Sequence, residues 1–361
     1  MEVKLKTKEL QSMVTEAIEC VSNNKLIPLT SLMDVKVKDN KLTLTTTDAT
    51  NYFYIMRDKV MCEDFEVSVF ADLFTKLIQK TTSEDVSLVI ENGAMTVKGN
   101  GSYTMELPLD ENGQVIRFPK KLDEPINLPQ IATLKRSTVK NILAVNRNSL
   151  AQTVEVPSLT EYYCGEEVIT SDRYKVCSTA IKMFDEPKLI SSTQMDLLGV
   201  VSDENITVSD GGSYLLFETE HEMLYAPNEA SADTFPIDAI KSLLSTEFDS
   251  KCTVNKGAVL NVLDRLSLFV SPYDKKGIYL TFTKHGLMLG NKKSSGSELV
   301  AYSASENFKD FVALIDIEML KSQVNTIAGD DLIIKYGSDI AIEIVENNIT
   351  EIIALAEDTE E

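Results

Sequence analysis

The chain has 361 residues, 43% of them hydrophobic, with 56 acidic against 35 basic side chains and a formal net charge of −21. That length exceeds what one hydrophobic core usually supports, so two or three domains are expected, and the average charge argues against adhesion to nucleic acid. Apolar runs are far too short to span a bilayer, the opening Met1-Glu2-Val3-Lys4-Leu5-Lys6 lacks a signal-peptide core, and Cys20, Cys62, Cys164, Cys177 and Cys252 show no Cys-x-x-Cys spacing; the expectation is a soluble intracellular protein with reduced thiols.

Val3-Lys4-Leu5 starts a strand, and Thr7 is placed to cap a helix running to about Ser22, where Leu10, Met13, Val14, Ala17, Ile18 and Val21 recur at helical spacing. Asn23 to Pro28 breaks it. Leu32 to Val37, Leu42 to Thr46 and Tyr52 to Met56 then read as three antiparallel strands. The same order returns at once: strand Phe65 to Phe70, a helix from Ala71 to Lys80 with Leu73, Phe74, Leu77 and Ile78 on one face, then strands Val86 to Ile90, Met95 to Lys98 and Tyr103 to Leu107. Asn92-Gly93 joins the first two of these and supplies the positive φ angles of a tight hairpin.

Phe118-Pro119 closes this stretch, and Phe235-Pro236 sits at the corresponding place about 120 residues on; both read as linker starts, where proline stops the strand. Between them come a strand from Ile126 to Ile131, a helix from about Ser137 to Ser149 and strands Tyr162 to Cys164, Val168 to Thr170 and Tyr174 to Thr179. Lys188 to Ile190, a helix from Ser192 to Val201 and strands Asn205 to Val208, Tyr214 to Phe217 and Met223-Leu224 follow. The last third gives Cys252 to Val254, a helix from Lys256 to Phe269 and strands Ile278 to Thr283, Leu287 to Leu289 and Leu299 to Ser303. Phe311 to Ile315, a helix from Ile317 to Ile327, strands Leu332 to Lys335, Ile340 to Ile344 and Ile352 to Leu355, and an acidic tail, Glu357 to Glu361, end it.

Helix starts near Ala71, Thr193 and Ile317 lie about 120 residues apart, a third of the chain. The expected fold is therefore α+β, with three similar tandem domains, 1–119, 120–235 and 236–361, each made of two copies of a strand-helix-three-strand unit. If every helix lies on the same side of its sheet, the three domains form an arc with helices on one wall and antiparallel sheets on the other, and closing it needs a partner.

Charge is unevenly spread. The helix around Lys135, Arg136, Lys140 and Arg147 carries four cations and no acid, and Lys8, Lys25, Lys76, Lys80, Lys256, Arg265, Lys275, Lys276 and Lys321 are set among fewer acids than the strands and loops carry. Such helices suit a sequence-independent, phosphate-facing wall; ordinary solvated faces are the bland alternative for any single lysine. Catalytic chemistry is hard to find. His221 and His285 have no Ser or Cys partner pattern, Gly99-Asn100-Gly101 and Gly211-Gly212 read as hairpin turns, and Asp330-Asp331 and Asp203-Glu204 read as solvated turn residues. No active site, metal site or cofactor is expected.

Asn24-Lys25-Leu26-Ile27-Pro28-Leu29, followed by Leu42-Thr43-Leu44-Thr45-Thr46-Thr47-Asp48, is similar to the first half-domain of the bacterial DNA polymerase III β sliding clamps, the DNA polymerase processivity factors. Val168-Ile169-Thr170-Ser171-Asp172-Arg173-Tyr174-Lys175-Val176-Cys177-Ser178 resembles that family's second-domain signature, and Phe235-Pro236 falls at its next joint. The likeness covers nearly the whole chain. Arg173, Tyr174, Lys175 and Val176 stand where the family usually has Gly, His, Arg and Leu, Asp72 starts a helix that is often basic there, and Ile352 to Ala356 lacks the usual proline, which suggests a divergent, virus-encoded member.

The resemblance implies a head-to-tail homodimeric ring, helices on its inner face and sheets on its outer face, that encircles double-stranded DNA in the cytoplasm and serves the replicative DNA polymerase and the clamp loader. Its DNA-facing cations would be Lys25, Lys76, Lys80, Lys135, Arg136, Lys140, Arg147, Lys256 and Arg265. Tyr103 and Met105 on one edge would meet Leu268 and Tyr273 on the other. A pocket for short peptides with Leu or Phe anchors would use Ser171, Arg173, Tyr174, Lys175, Val176, Pro236, Ile240, Ile352, Ala354 and Ala356. Two other classes compete with this reading. A repeat-built protein scaffold needs no cationic wall, and an acid-catalysed hydrolase needs a concave cluster of carboxylates.

Overall fold

The computed structural model describes residues 1–22, 24–58, 60, 63–110, 112–116, 118–119, 121, 128–269, 277–291 and 296–357. Asn23, Cys62, Ile126, Tyr273, Lys275, Lys276 and the end of the acidic tail lie outside these residues.

Six copies of the expected unit are present. The first is β1 (Glu2–Lys6), α1 (Thr7–Ala17), β2 (Leu32–Lys38), β3 (Lys41–Thr47) and β4 (Tyr52–Arg57); the second is β5 (Phe65–Phe70), α2 (Ala71–Gln79), β6 (Asp85–Glu91), β7 (Ala94–Lys98) and β8 (Ser102–Glu106). The third is β9 (Gln130–Lys135), α3 (Arg136–Asn146), β10 (Glu161–Cys164), β11 (Val168–Ser171) and β12 (Lys175–Thr179); the fourth is β13 (Lys188–Ser191), α4 (Ser192–Val200), β14 (Asn205–Asp210), β15 (Tyr214–Glu218) and β16 (Glu222–Pro227). A short helix, α5 (Ile237–Leu244), precedes the fifth copy: β17 (Ser250–Asn255), α6 (Lys256–Ser267), β18 (Gly277–Thr283), β19 (Gly286–Asn291), β20 (Ser297–Val300) and β21 (Tyr302–Glu306). The sixth is β22 (Phe311–Asp316), α7 (Ile317–Thr326), β23 (Asp331–Tyr336), β24 (Ala341–Glu346) and β25 (Ile349–Ala354).

The copies exchange their first strands. β1 pairs with β6 while β5 pairs with β2; β9 pairs with β14 while β13 pairs with β10; β17 pairs with β23 while β22 pairs with β18. Each strand-helix segment therefore crosses from its own three strands to those of the neighbouring copy, and neither copy completes a sheet alone. The exchange also satisfies the first N–H of three helices. The first helical N–H of α1 donates to Glu84 O, that of α3 to Glu204 O and that of α6 to Asp330 O, each carbonyl standing just before the strand that receives the exchanged one. Thr7, expected as a cap, is instead the first helical residue and is buried; Lys6 occupies the cap position with no side-chain bond, since a lysine has no acceptor to offer the N–H groups of the first turn. Gln11 of α1 completes this pair of copies by donating to Ile78 O, Gln79 O and Thr81 O at the end of α2.

The chain divides into two compact units. Unit 1, residues 1–140 and 193–229, holds the sheet β1-β6-β7-β8 and the eight-stranded sheet β5-β2-β3-β4-β16-β15-β14-β9. Unit 2, residues 141–192 and 230–361, holds the nine-stranded sheet β13-β10-β11-β12-β25-β24-β23-β17-β21 and the sheet β20-β19-β18-β22. The division passes through α3 and leaves the third and fourth copies shared between the units. In unit 2 the stripe Val259, Val262, Leu263 and Leu266 of α6 is buried, with Leu320 and Val324 of α7, around a Phe282–Tyr336 stack at 3.8 Å. Burying each such aliphatic side chain contributes about 2 kcal/mol.

Asn92 and Gly93 have φ of 52° and 75°, both in the left-handed region a two-residue hairpin needs. Elsewhere the structure corrects the sequence. α1 ends at Ala17 and continues only as a short 3₁₀ turn, Ile18–Cys20. Leu73, expected on the apolar face of α2, is 53% exposed, while Ala71, Phe74, Thr75 and Ile78 form the buried face. The expected strand Leu299 to Ser303 is two strands: β20 pairs with β19, and after a break at Ala301 β21 pairs with β17 in the other sheet. Phe235-Pro236 ends no strand, since β16 stops at Pro227; Pro236 is instead the N-cap of α5.

Candidate peptide cleft and cationic helices

The cleft in unit 2 is built on the turn between β11 and β12. Asp172 Oδ1 accepts from Tyr174 N at 3.0 Å and Lys175 N at 2.7 Å, while Ser171 Oγ donates to Lys175 O at 2.9 Å and accepts from Arg173 N at 3.2 Å. Between these bonds Arg173 is held at φ +79°, in the left-handed region that favours glycine. Its guanidinium forms an ion pair with Glu155. The turn exposes Tyr174, 57% accessible, and delivers Val176 opposite Ile352 in the β12–β25 pairing.

Val176 and Ile352 are the centre of an apolar floor with Leu159, Phe235, Ile240 and Ala341, all buried. Phe235 stacks on Tyr163 with ring centroids 5.1 Å apart, and Ile240 projects from α5 onto the floor. The last residues form the rim: Ala354 N donates to Tyr174 O, Leu355 N to Ile340 O and Ala356 N to Leu314 O. Ile340 is half exposed beside them.

Of the residues expected here, Val176, Ile240 and Ile352 join the floor, and Tyr174 and Ala354 meet through the backbone at its rim. Pro236 and Ala356 are exposed just before α5 and just after β25, and Ser171 is consumed in shaping the loop. Lys175 is a correction. Strand alternation turns it to the opposite face of the sheet from Val176, where it is buried with Nζ donating to Asn148 O and 3.4 Å from Asp172. Glu351 shares that hidden face. It is fully buried, accepts from Thr326 Oγ1, and has no hydrogen bond at Oε2 among the described residues. Burial pushes its acid up to about 8 against the pull of the Thr326 hydroxyl and Lys175, with Glu346 adding to the rise. Sequence reasoning missed Leu159, Tyr163 and Ala341; Phe235, read only as part of a linker start, was the signal that could have found them.

The helix cations are less free than the sequence implies. Lys76 pairs with Asp72 at 2.6 Å, Arg265 makes two 2.6 Å bonds to Glu298, and Lys256 Nζ is bound to Ile327 O. The acid-free stretch at α3 also acquires an acid from outside. Glu204 accepts from Ser137 Oγ at 2.5 Å, a bond that with nearby Lys135 and Arg136 holds its carboxyl below the usual range. Arg136 Nη1 lies 3.4 Å from Ser202 O. Lys25, Lys80, Lys135, Lys140 and Arg147 are exposed, and Lys25, Lys80 and Lys140 make no ion pair among the described residues.

Tyr103 is 53% exposed on β8, Met105 is buried on the same strand, and Leu268 is 81% exposed just after α6. The four described cysteines are buried and unpaired, no three His, Cys, Asp or Glu side chains come together as a metal site among the described residues, and none of the described helices is long and apolar enough to cross a membrane.

Residues 1–114 match the family model of the DNA polymerase III beta subunit, N-terminal domain. No curated protein matches the chain. Among solved structures, the DNA polymerase sliding clamp from Bacillus subtilis superposes with a TM-score of 0.84 at 14% identity, over 99% of both chains. The DNA polymerase III beta chain from Streptococcus pneumoniae gives 0.86 at 13% identity and the beta subunit from Thermotoga maritima 0.84 at 16%, each over 99% of both chains. The chain thus matches the N-terminal domain of the DNA polymerase III beta subunits over residues 1–114 and has the fold of the sliding-clamp structures throughout its length.

Proposed function

We propose that the protein is a DNA sliding clamp, a non-enzymatic homodimeric ring that encircles duplex DNA in the cytoplasm and tethers the replicative DNA polymerase, loaded by a clamp loader. It would consist of three tandem clamp domains, 1–119, 120–235 and 236–361, with partners binding by short peptides in the unit 2 cleft. The observation that carries this reading is a mismatch of edges. The last strands of four copies pair two by two, β4 with β16 and β12 with β25, but β8 and β20, the corresponding strands of the second and fifth copies, have no partner on their outer edges among the described residues. A second copy of the chain supplies each edge with what it lacks, and such head-to-tail pairing closes a ring of two.

Exposed apolar side chains accompany those edges: Tyr103 on β8, and Leu268 and Phe269 after α6. Tyr273 would join them. Inside the ring, Lys25, Lys80, Lys135, Lys140 and Arg147 would face phosphate, with Arg136 behind them; Lys76, Lys256 and Arg265 would contribute only on leaving their present partners. Sparse phosphate contacts suit sliding, since strong ones would brake it. The test is the mass of the purified chain by light scattering together with its image by electron microscopy. A two-chain ring with a central opening is expected, and a monomer at micromolar concentration overturns the reading.

A further inference from the structure

The cleft of unit 2 has an internal counterpart in unit 1. The turn Thr47 to Asn51 repeats the turn Ser171 to Lys175 bond for bond. Asp48 Oδ1 accepts from Thr50 N at 2.8 Å and Asn51 N at 2.7 Å, Thr47 Oγ1 donates to Asn51 O at 2.6 Å and accepts from Ala49 N at 3.1 Å, and Ala49 sits at φ +85° as Arg173 sits at +79°. One residue later the chain delivers Tyr52 where the other turn delivers Val176. Its partner across the β4–β16 pairing is Tyr225, in the place of Ile352. Phe118 stands in the place of Phe235.

Aromatic rings have thus replaced the aliphatic floor. Tyr52 meets Tyr225 and Phe118 edge to face, each at 6.3 Å, and Tyr214 stacks on Tyr225 at 4.6 Å. The electron-rich faces already hold a cation: Lys121 Nζ lies 5.7 Å from the Tyr52 centroid and 5.9 Å from that of Tyr225. Lys121 itself is exposed and brings its ammonium group from the segment that follows Phe118. Beside the cage lies a cleft of about 430 Å³ that shares Phe118 and is lined by four carboxylates, Asp34, Asp39, Asp58 and Glu66, against three lysines. Both the rings and the small excess of carboxylates select for positive charge.

We propose that this aromatic cage is a second docking site, which receives the lysine or arginine side chain of a partner peptide in exchange for Lys121. The tethered ammonium acts as a resident competitor that keeps the cage formed and screens out weak cations. A partner gains only when neighbouring contacts in the adjoining cleft add to its own cation–π contact. This site does not depend on peptide binding in unit 2.

The test uses the full chain with ring-labelled tyrosines, followed by NMR during titration with tetramethylammonium chloride and with acetyl-lysine-amide at fixed ionic strength. Lys121→Ala should bind both probes about tenfold more tightly than the native chain, with shifts at the Tyr52 and Tyr225 rings, because the competitor is gone. Adding Tyr225→Ala should abolish those shifts while circular dichroism shows the fold retained. Equal affinity with and without Lys121, shifts that sodium chloride reproduces, or no shift at either ring in Lys121→Ala each overturn the proposal.

Discussion

Cys177 and Glu351 face one another across the β12–β25 pairing, and neither has any accessible surface. The carboxyl proton is favoured by burial, and the thiol is pushed well above its usual range by the same burial and by the nearby Glu351. A carboxyl raised from 4.5 to about 8 binds its proton more tightly in the folded chain than in the unfolded one. Stability should therefore fall as pH rises from 4.5 towards 8 and stay at the lower level above it, by at most about 1.4 kcal/mol for each unit of the shift. Glu351→Gln keeps the Thr326 bond and removes the titration. Urea midpoints for the two proteins should diverge across that window, with the variant the more stable at pH 8.5; parallel curves would show that Glu351 is not held neutral.

Arg173→Gly should stabilise the chain by about 0.5–1 kcal/mol. Glycine accepts the φ of +79° without the cost to a side chain, and the Glu155 ion pair it gives up is half exposed and worth little. Glu155→Gln is the control and should change stability by less. Urea unfolding decides it, and a loss of stability in Arg173→Gly would mean that the ion pair outweighs the backbone.

Ile240 couples α5 to the cleft floor. Ile240→Ala should cost about 2–4 kcal/mol and weaken a fluorescent peptide with Leu and Phe anchors at least tenfold, without altering oligomer mass. Unchanged peptide anisotropy would remove α5 from the binding site.

Leu268 is so exposed that its replacement should leave the fold of unit 2 intact. Leu268→Asp should preserve the circular dichroism spectrum and melting temperature of the dissociated chain while halving the mass seen by light scattering. A dimer that persists in this variant places the contact elsewhere.

The elements were largely legible because their periodicity is local: alternation marks Val3 and Leu5, and helical spacing marks Leu10, Met13 and Val14. The exchange of first strands was not, since nothing in β1 distinguishes β6 from β2 as its partner. α5 was missed because eight residues after a proline read equally well as a loop. In the cleft, the positions of Val176, Ile240 and Ile352 followed from the resemblance, but the burial of Lys175 depends on which face of β12 the turn presents. Arg265 seemed a free cation because Glu298, which holds it, lies 33 residues away in sequence.

First-strand exchange also governs how the polypeptide emerges from a ribosome. β1 cannot find its lasting neighbour until β6 has been synthesised, and β9 must wait for β14, roughly 70 residues later. Loop closure on that scale is slow and leaves unpaired edges in solvent meanwhile, so a stalled nascent chain ending after β4 should be protease-sensitive and one ending after β8 resistant.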